Sequence, residues 1–171
     1  GSRFMNMSKR FEDSAIGGDY YLGLNRNKHS VAIDISKEEG RKIIKDMIPK
    51  VDVLVENYRP GTLDKHGLGW EHLHPLNPGL IYCGISAFGR SAQQAKEPGM
   101  DVVVQARAGT ISITGEPDGP PSKPGVSIAD MGGGLQATIG ILLAWAARQK
   151  TGRGQFVDVS LFDATLMMMS N

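Results

Sequence analysis

One cysteine, Cys83, stands in 171 residues, so no internal disulfide and no thiolate metal cluster is possible. Charge of one sign is also lacking. Nineteen basic against eighteen acidic residues leave a net charge of +1, which gives no reason to expect a nucleic-acid or anionic-membrane partner. Aromatic residues are only 6% of the chain, and no uninterrupted apolar run approaches the length a bilayer demands. The start, Gly1-Ser2-Arg3-Phe4-Met5, has no apolar core of a secretory signal and reads as a cloning remnant. Phosphate loops, G-x-G-x-x-G and the G-x-S-x-G elbow are all missing. The four histidines have no ligand spacing; His72 and His74 read as a solvated pair. Metal and redox chemistry are not expected. A reducing, cytoplasmic setting is, or a mitochondrial or peroxisomal one in a eukaryote.

What is present alternates. Residues 1–20 are poorly patterned. Ser30–Ile35, Val51–Val55, Leu80–Ile85 and Phe156–Leu161 read as strands, being short apolar runs rich in β-branched residues. Ser36 with Glu39 predicts a capping box that opens a helix through Ile48, closed by Pro49. Trp70–Leu76 predicts a short helix and Met100–Ala108 another. After a Pro/Gly-rich loop at 115–125, Leu135, Ile139, Leu142 and Ala146 fall on one stripe of a long helix. That helix ends at Lys150-Thr151-Gly152-Arg153-Gly154. A Met-rich segment, read as helix-packing surface, runs to Asn171. Strands alternating with helices predict an α/β fold with a largely parallel sheet and flanking helices.

Asp130 lies where the loop gives way to the long helix, followed by Gly132-Gly133-Gly134. A carboxylate at a helix start is stabilised by free N–H groups and the positive dipole end. The glycines would let a bulky ligand approach. Two readings stand at the level of residues: a helix cap, or a carboxylate nucleophile that attacks a carbonyl and forms a covalent intermediate. Asn25-Arg26-Asn27-Lys28-His29 and Glu56-Asn57-Tyr58-Arg59-Pro60-Gly61, with Lys65 and His66 just beyond, suit either a charged surface or a phosphate-bearing nucleotide. The second stretch follows a strand, where open parallel sheets bind ligands.

These blocks, with Asn77–Gly89, Pro98-Gly99-Met100-Asp101, Ile128-Ala129-Asp130 and Thr151–Ala164, resemble the class III CoA-transferases. This group includes formyl-CoA transferase, carnitine-type CoA-transferases and α-methylacyl-CoA racemase. The resemblance runs from about Tyr21 to the end. It implies a Rossmann-like large domain over 21–171, with the small domain outside this chain, and an interlocked homodimer. It implies Asp130 as the catalytic aspartate, with Leu24, Arg26, Lys28, Asn57, Tyr58, Lys65 and His66 at the coenzyme A site. The substrates it implies are an acyl-CoA and a small carboxylic acid, exchanged through an aspartyl intermediate without a metal. Racemases of the group carry a histidine where this chain has Met100, which moves no proton; transfer is therefore expected over racemisation. The alternatives are a racemase-like isomerase and a non-catalytic CoA-binding or subunit-association module, since family chains are longer.

Overall fold

Three of the expected strands pair into one parallel sheet in the order β1 (Val53–Glu56), β2 (Ile81–Ser86), β3 (Phe156–Ser160). Val53 stands opposite Ile81, and Cys83 opposite Val157. The computed structural model describes residues 19–169, which fall into two compact units divided after Ile33. In the first, helix α1 (Asp19–Leu24) ends at Asn25, whose amide nitrogen donates to the Tyr21 carbonyl. Asn27 follows with φ 62°, a left-handed conformation that asparagine tolerates.

The sheet belongs to the second unit. Parallel neighbours need crossovers. Helices α3 (Thr62–Lys65) and α4 (Trp70–Leu73), with a 3-10 turn over His74–Leu76, connect β1 to β2. Helices α5 (Asp101–Ala108) and α6 (Ile128–Thr151) connect β2 to β3. As the middle strand, β2 is apolar on both faces, and Ile81, Tyr82 and Cys83 are fully buried. Its side chains alternate between two cores. Tyr82 packs with Ile48, Leu63, Leu68, Leu73 and Leu80; Cys83 packs with Ala137 and Val159. Helices thus cover both faces, the expected α/β arrangement.

Several expectations are corrected. Ser30–Ile35 is not a strand: residues 31–34 join no ladder and Val31 is 68% exposed. An apolar run becomes a strand only where another strand accepts its hydrogen bonds. The capping box does not form either. Asp34 captures both the Ser36 N–H (2.9 Å) and the Ser36 hydroxyl (2.6 Å), and helix α2 (Glu38–Met47) starts at Lys37 without a side-chain cap. This local carboxylate turn outcompetes the cap. Pro49 lies inside a 3-10 turn over Ile48–Lys50.

The largest correction concerns α6. Its stripe of large residues faces outward: Leu135, Ile139 and Leu142 are half or more exposed, and Ala146 is exposed too. The buried face is built from Ala129, Gly132, Gly133, Ala137 and Ala144. A side chain at Gly132 would meet Met168, one at Gly133 would meet Leu161, and one at Gly140 would meet Val157. The glycines therefore seat α6 against helix α7 (Leu161–Met168) and β3 rather than opening a path for a ligand. Being 24 residues long and rich in alanine and glycine, α6 also proves long and apolar enough, by length and composition, to cross a membrane. Only 28% of its most apolar window is buried, all of it through the small-residue face. Gly152, at φ 68°, ends it as expected, and Arg148 ties its last turns to the Gly79 carbonyl and Asp52, both at 2.8 Å. Ser160 caps α7 by accepting the Asp163 N–H.

Candidate active site

Because β1 and β2 run in the same direction, the chain leaves both at one edge of the sheet. There Asn57 donates from Nδ2 to the Ile85 carbonyl (2.7 Å) and locks the two strand ends together. Glu56, only 8% exposed, accepts the Tyr58 N–H at 2.8 Å and so sets the turn that presents Tyr58. Burial pushes the Glu56 carboxyl above its ordinary range, opposed by the Tyr58 N–H and by Arg90. The Arg90 guanidinium lies 3.6 Å from Glu56 and 2.8 Å from Asp64, and the Arg90 backbone N–H donates to Asp158 Oδ2 at 3.0 Å.

Asp130 is the third residue of α6. The N–H groups from Ile128 to Met131 at that helix start are all occupied. Ile128 donates to the Val126 carbonyl and Met131 to the Ser127 carbonyl. Ala129 and Asp130 both donate to Asp101 Oδ1, at 2.9 and 3.2 Å. Ser127, at the cap position, makes no side-chain cap bond. So Asp130 does not cap its own helix; Asp101 does, from the first turn of α5. Among the described residues the Asp130 carboxylate has no hydrogen-bond partner. Partial burial, and then the Asp101 charge, raise its affinity for a proton. The residue as a whole is exposed, so water moderates the effect. The Gly132–Gly134 N–H groups lie past the free first turn of α6.

Asp130 and Asn57 line one cavity of about 450 Å³, with Met100, Asp101, Lys123 and Ser127. An adjoining cavity of about 330 Å³ shares Asn57, Ala87, Gly99 and Met100 with it and continues along Tyr58 and Arg59. Gly99 is required at the join, where a Cβ would collide with that of Ala87. Together they form a crevice beyond the carboxyl ends of β1 and β2, the place where open parallel sheets hold ligands. Lys65 is exposed at the end of α3 and His66 half-buried beside it; neither lines the crevice. Leu24, Arg26 and Lys28 belong to the first unit. There Arg26 and Lys28 line a pocket of about 590 Å³ with Tyr21, Asn25 and His29, and Leu24 stands exposed at the end of α1. A cavity of about 540 Å³ beside Phe88, Arg107 and Asp163 holds none of the expected site residues.

Sequence reasoning missed the parts played by Asp101 and Lys123. Only Gln105, four residues after Asp101 and bonded to it, was a visible signal.

The profile of CoA-transferase family III matches residues 2–171. The chain belongs to that family. Succinyl-CoA–D-citramalate CoA-transferase of Chloroflexus aurantiacus is 43% identical over 148 residues, which is 86% of this chain and 37% of that protein. Human succinyl-CoA:glutarate CoA-transferase is 40% identical over 152 residues, 89% of this chain and 35% of that protein. The crystal structure of a CaiB/BaiF family protein from Brucella suis superposes with a TM-score of 0.90 at 37% identity, covering all of this chain and 44% of that one. The chain thus spans well under half the length of these family members. The likeness bears out the α/β fold expected from the sequence.

Proposed function

We propose that this chain supplies the catalytic carboxylate and part of the coenzyme A site of an acyl-CoA:carboxylate CoA-transferase. The observation that carries the reading is Asp130: an accessible carboxylate without hydrogen bonds, in a crevice at the sheet edge, on a helix that another residue caps. Such an oxygen is free to attack. The Asp130 carboxylate adds to the thioester carbonyl of the donor and the C–S bond breaks, giving a mixed anhydride and CoA thiolate. The thiolate attacks the aspartyl carbonyl and the anhydride C–O bond breaks, which releases the first acid as a carboxylate and leaves an aspartyl-CoA thioester. An acceptor carboxylate then runs the same two steps in reverse order and leaves as a new acyl-CoA. No net proton is consumed. One hard exchange becomes a chain of easier ones.

Asn57 and Tyr58 are the residues of the crevice that would hold coenzyme A; Leu24, Arg26, Lys28, Lys65 and His66 are coenzyme A positions by family resemblance alone. Succinate, citramalate and glutarate, the acids in the names of the two sequence relatives, are all dicarboxylic. A small dicarboxylic acid is accordingly the proposed acceptor class, and a homodimer the proposed assembly. Racemisation is disfavoured because Met100 lines the cavity and carries no titratable proton. The second reading is a CoA-binding or subunit-association module without turnover of its own.

Asp130→Asn keeps the side chain's size and removes the nucleophile. In the protein carrying residues 1–171, mass spectrometry of exchange between succinyl-CoA and glutarate should show turnover falling roughly 10³-fold or more. Coenzyme A affinity by calorimetry should stay within a few-fold. Near-normal turnover of the Asn variant rejects the nucleophile; binding without exchange in the unaltered protein favours the module.

A further inference from the structure

The residue that fixes Asp130 comes from another helix. The first turn of α6 would leave the Ala129 and Asp130 N–H groups orphaned, since Ser127 provides no side-chain cap. Both donate to one oxygen, Asp101 Oδ1. The other oxygen, Oδ2, accepts from Gln105 Nε2 at 2.5 Å. Gln105 is fully buried, and its Oε1 has no partner. A buried amide that leaves its own acceptor empty is oriented by what its nitrogen holds. Here that is the carboxylate of Asp101.

We propose that Asp101, held by Gln105, is a positioning residue for Asp130: it caps α6 from α5 and fixes the turn that carries the nucleophile. This rests on the assignment of Asp130 made above. The cap is unusual in carrying a full charge from a different helix. The Ser127 hydroxyl at the cap position makes no such bond, and a hydroxyl there would place no charge beside the nucleophile. Asp101 does both. Its negative end suits the helix dipole, and its proximity makes the Asp130 carboxylate more basic, the direction that favours attack on a thioester. The charged side chains lining the cavity with Asp130 are Asp101, from α5, and Lys123, from the preceding loop. Lys123 turns its Nζ to the Pro124 carbonyl at 3.1 Å.

The test separates the cap from the charge. Asp101→Asn retains an acceptor for both N–H groups and loses the charge; Asp101→Ala loses both; Gln105→Leu removes the hold on Asp101. In residues 1–171, ¹³C NMR follows the Asp130 carboxyl through a pH titration, and amide exchange is read at Ala129 and Asp130. In Asp101→Asn the Asp130 midpoint should fall towards the ordinary carboxylate value, with amide exchange within about threefold of the parent. In Asp101→Ala and Gln105→Leu exchange at both amides should accelerate by about tenfold or more. An unmoved midpoint in Asp101→Asn, or unaltered exchange in Asp101→Ala, overturns the proposal. Should Asp101→Ala fail to fold, the Asn and Leu variants decide it. Failure of the nucleophile assignment shows separately, as retained turnover in Asp130→Asn.

Discussion

The neighbouring glycines at the start of α6 should respond to one substitution in three different ways. Changing glycine to alanine inside a helix gains roughly 1 kcal/mol in backbone propensity. Gly134 has nothing within 4 Å of an added methyl, so Gly134→Ala should keep that whole gain. At Gly132 the methyl would meet the terminal Cε of Met168, 2.8 Å away. A thioether end can swing aside, and the balance should be close to zero. At Gly133 the methyl falls on Leu161 Cδ2. Leu161 is buried against Val104 and Ala129 and has little room to turn. Overpacking of this kind costs about 1–3 kcal/mol, which sets a net loss of up to about 2 kcal/mol against the propensity gain. At about 2–4 °C per kcal/mol for a chain of this size, Tm should rise by a few degrees for Gly134→Ala, hold for Gly132→Ala and fall by several degrees for Gly133→Ala. Thermal and urea unfolding followed by circular dichroism reads all three. If Gly133→Ala stabilises as much as Gly134→Ala, α6 is not seated on α7 through its glycine face.

Two further outcomes follow from burial and one from charge. The Cys83 thiol, fully buried and pushed up to about 11 by burial and then by Glu56 and Asp158, should resist thiol reagents at pH 8 until the chain unfolds in denaturant; rapid native labelling would mean that β2 opens locally. Leu135, Ile139, Leu142 and Leu143, all half or more exposed, should drive self-association of residues 1–171, reduced by Leu142→Glu with Leu143→Lys; light scattering that finds a clean monomer in the parent refutes this. Asp130→Asn should also raise Tm at pH 7 but not below the ordinary carboxylate range. A group whose proton affinity is raised on folding contributes stability that is lost as pH rises through its folded pKa, and the neutral amide escapes that loss. An equal change in Tm at both pH values would remove Asp101 and burial as the cause.

The sheet was legible because its strands are short, apolar and β-branched, a signal that depends only on neighbours in sequence. Val53–Glu56, Ile81–Ser86 and Phe156–Ser160 all lie within two residues of the runs that announced them. Ser30–Ile35 has the same local signature and no ladder, because pairing is a property of two segments and only one was visible. The length of α6 could be read from its pattern, but its orientation could not. Hydropathy assigns the large residues inward, whereas close packing on β3 and α7 selects glycine and alanine. Asn57 and Asp130 were singled out through strand ends, a helix start and family resemblance, and they line one cavity. Asp101 could not be found in that way. Its partners lie 28 and 29 residues along the chain, and no spacing rule reaches that far.

The same separation explains why α6 can serve two surfaces at once. At one end Asp101 holds the Ala129 and Asp130 amides; at the other Arg148 holds Gly79 and Asp52. A helix of 24 residues is about 36 Å long, and this one is pinned at both termini and along a small-residue face. Its large apolar side chains, Leu135, Ile139, Leu142 and Leu143, take no part in that seating. Whatever covers them meets a preformed surface and need not move the first turn. Geometry at Asp130 is therefore set inside the fold, by Asp101 and Gln105, and association along the outer stripe is free to vary without disturbing it.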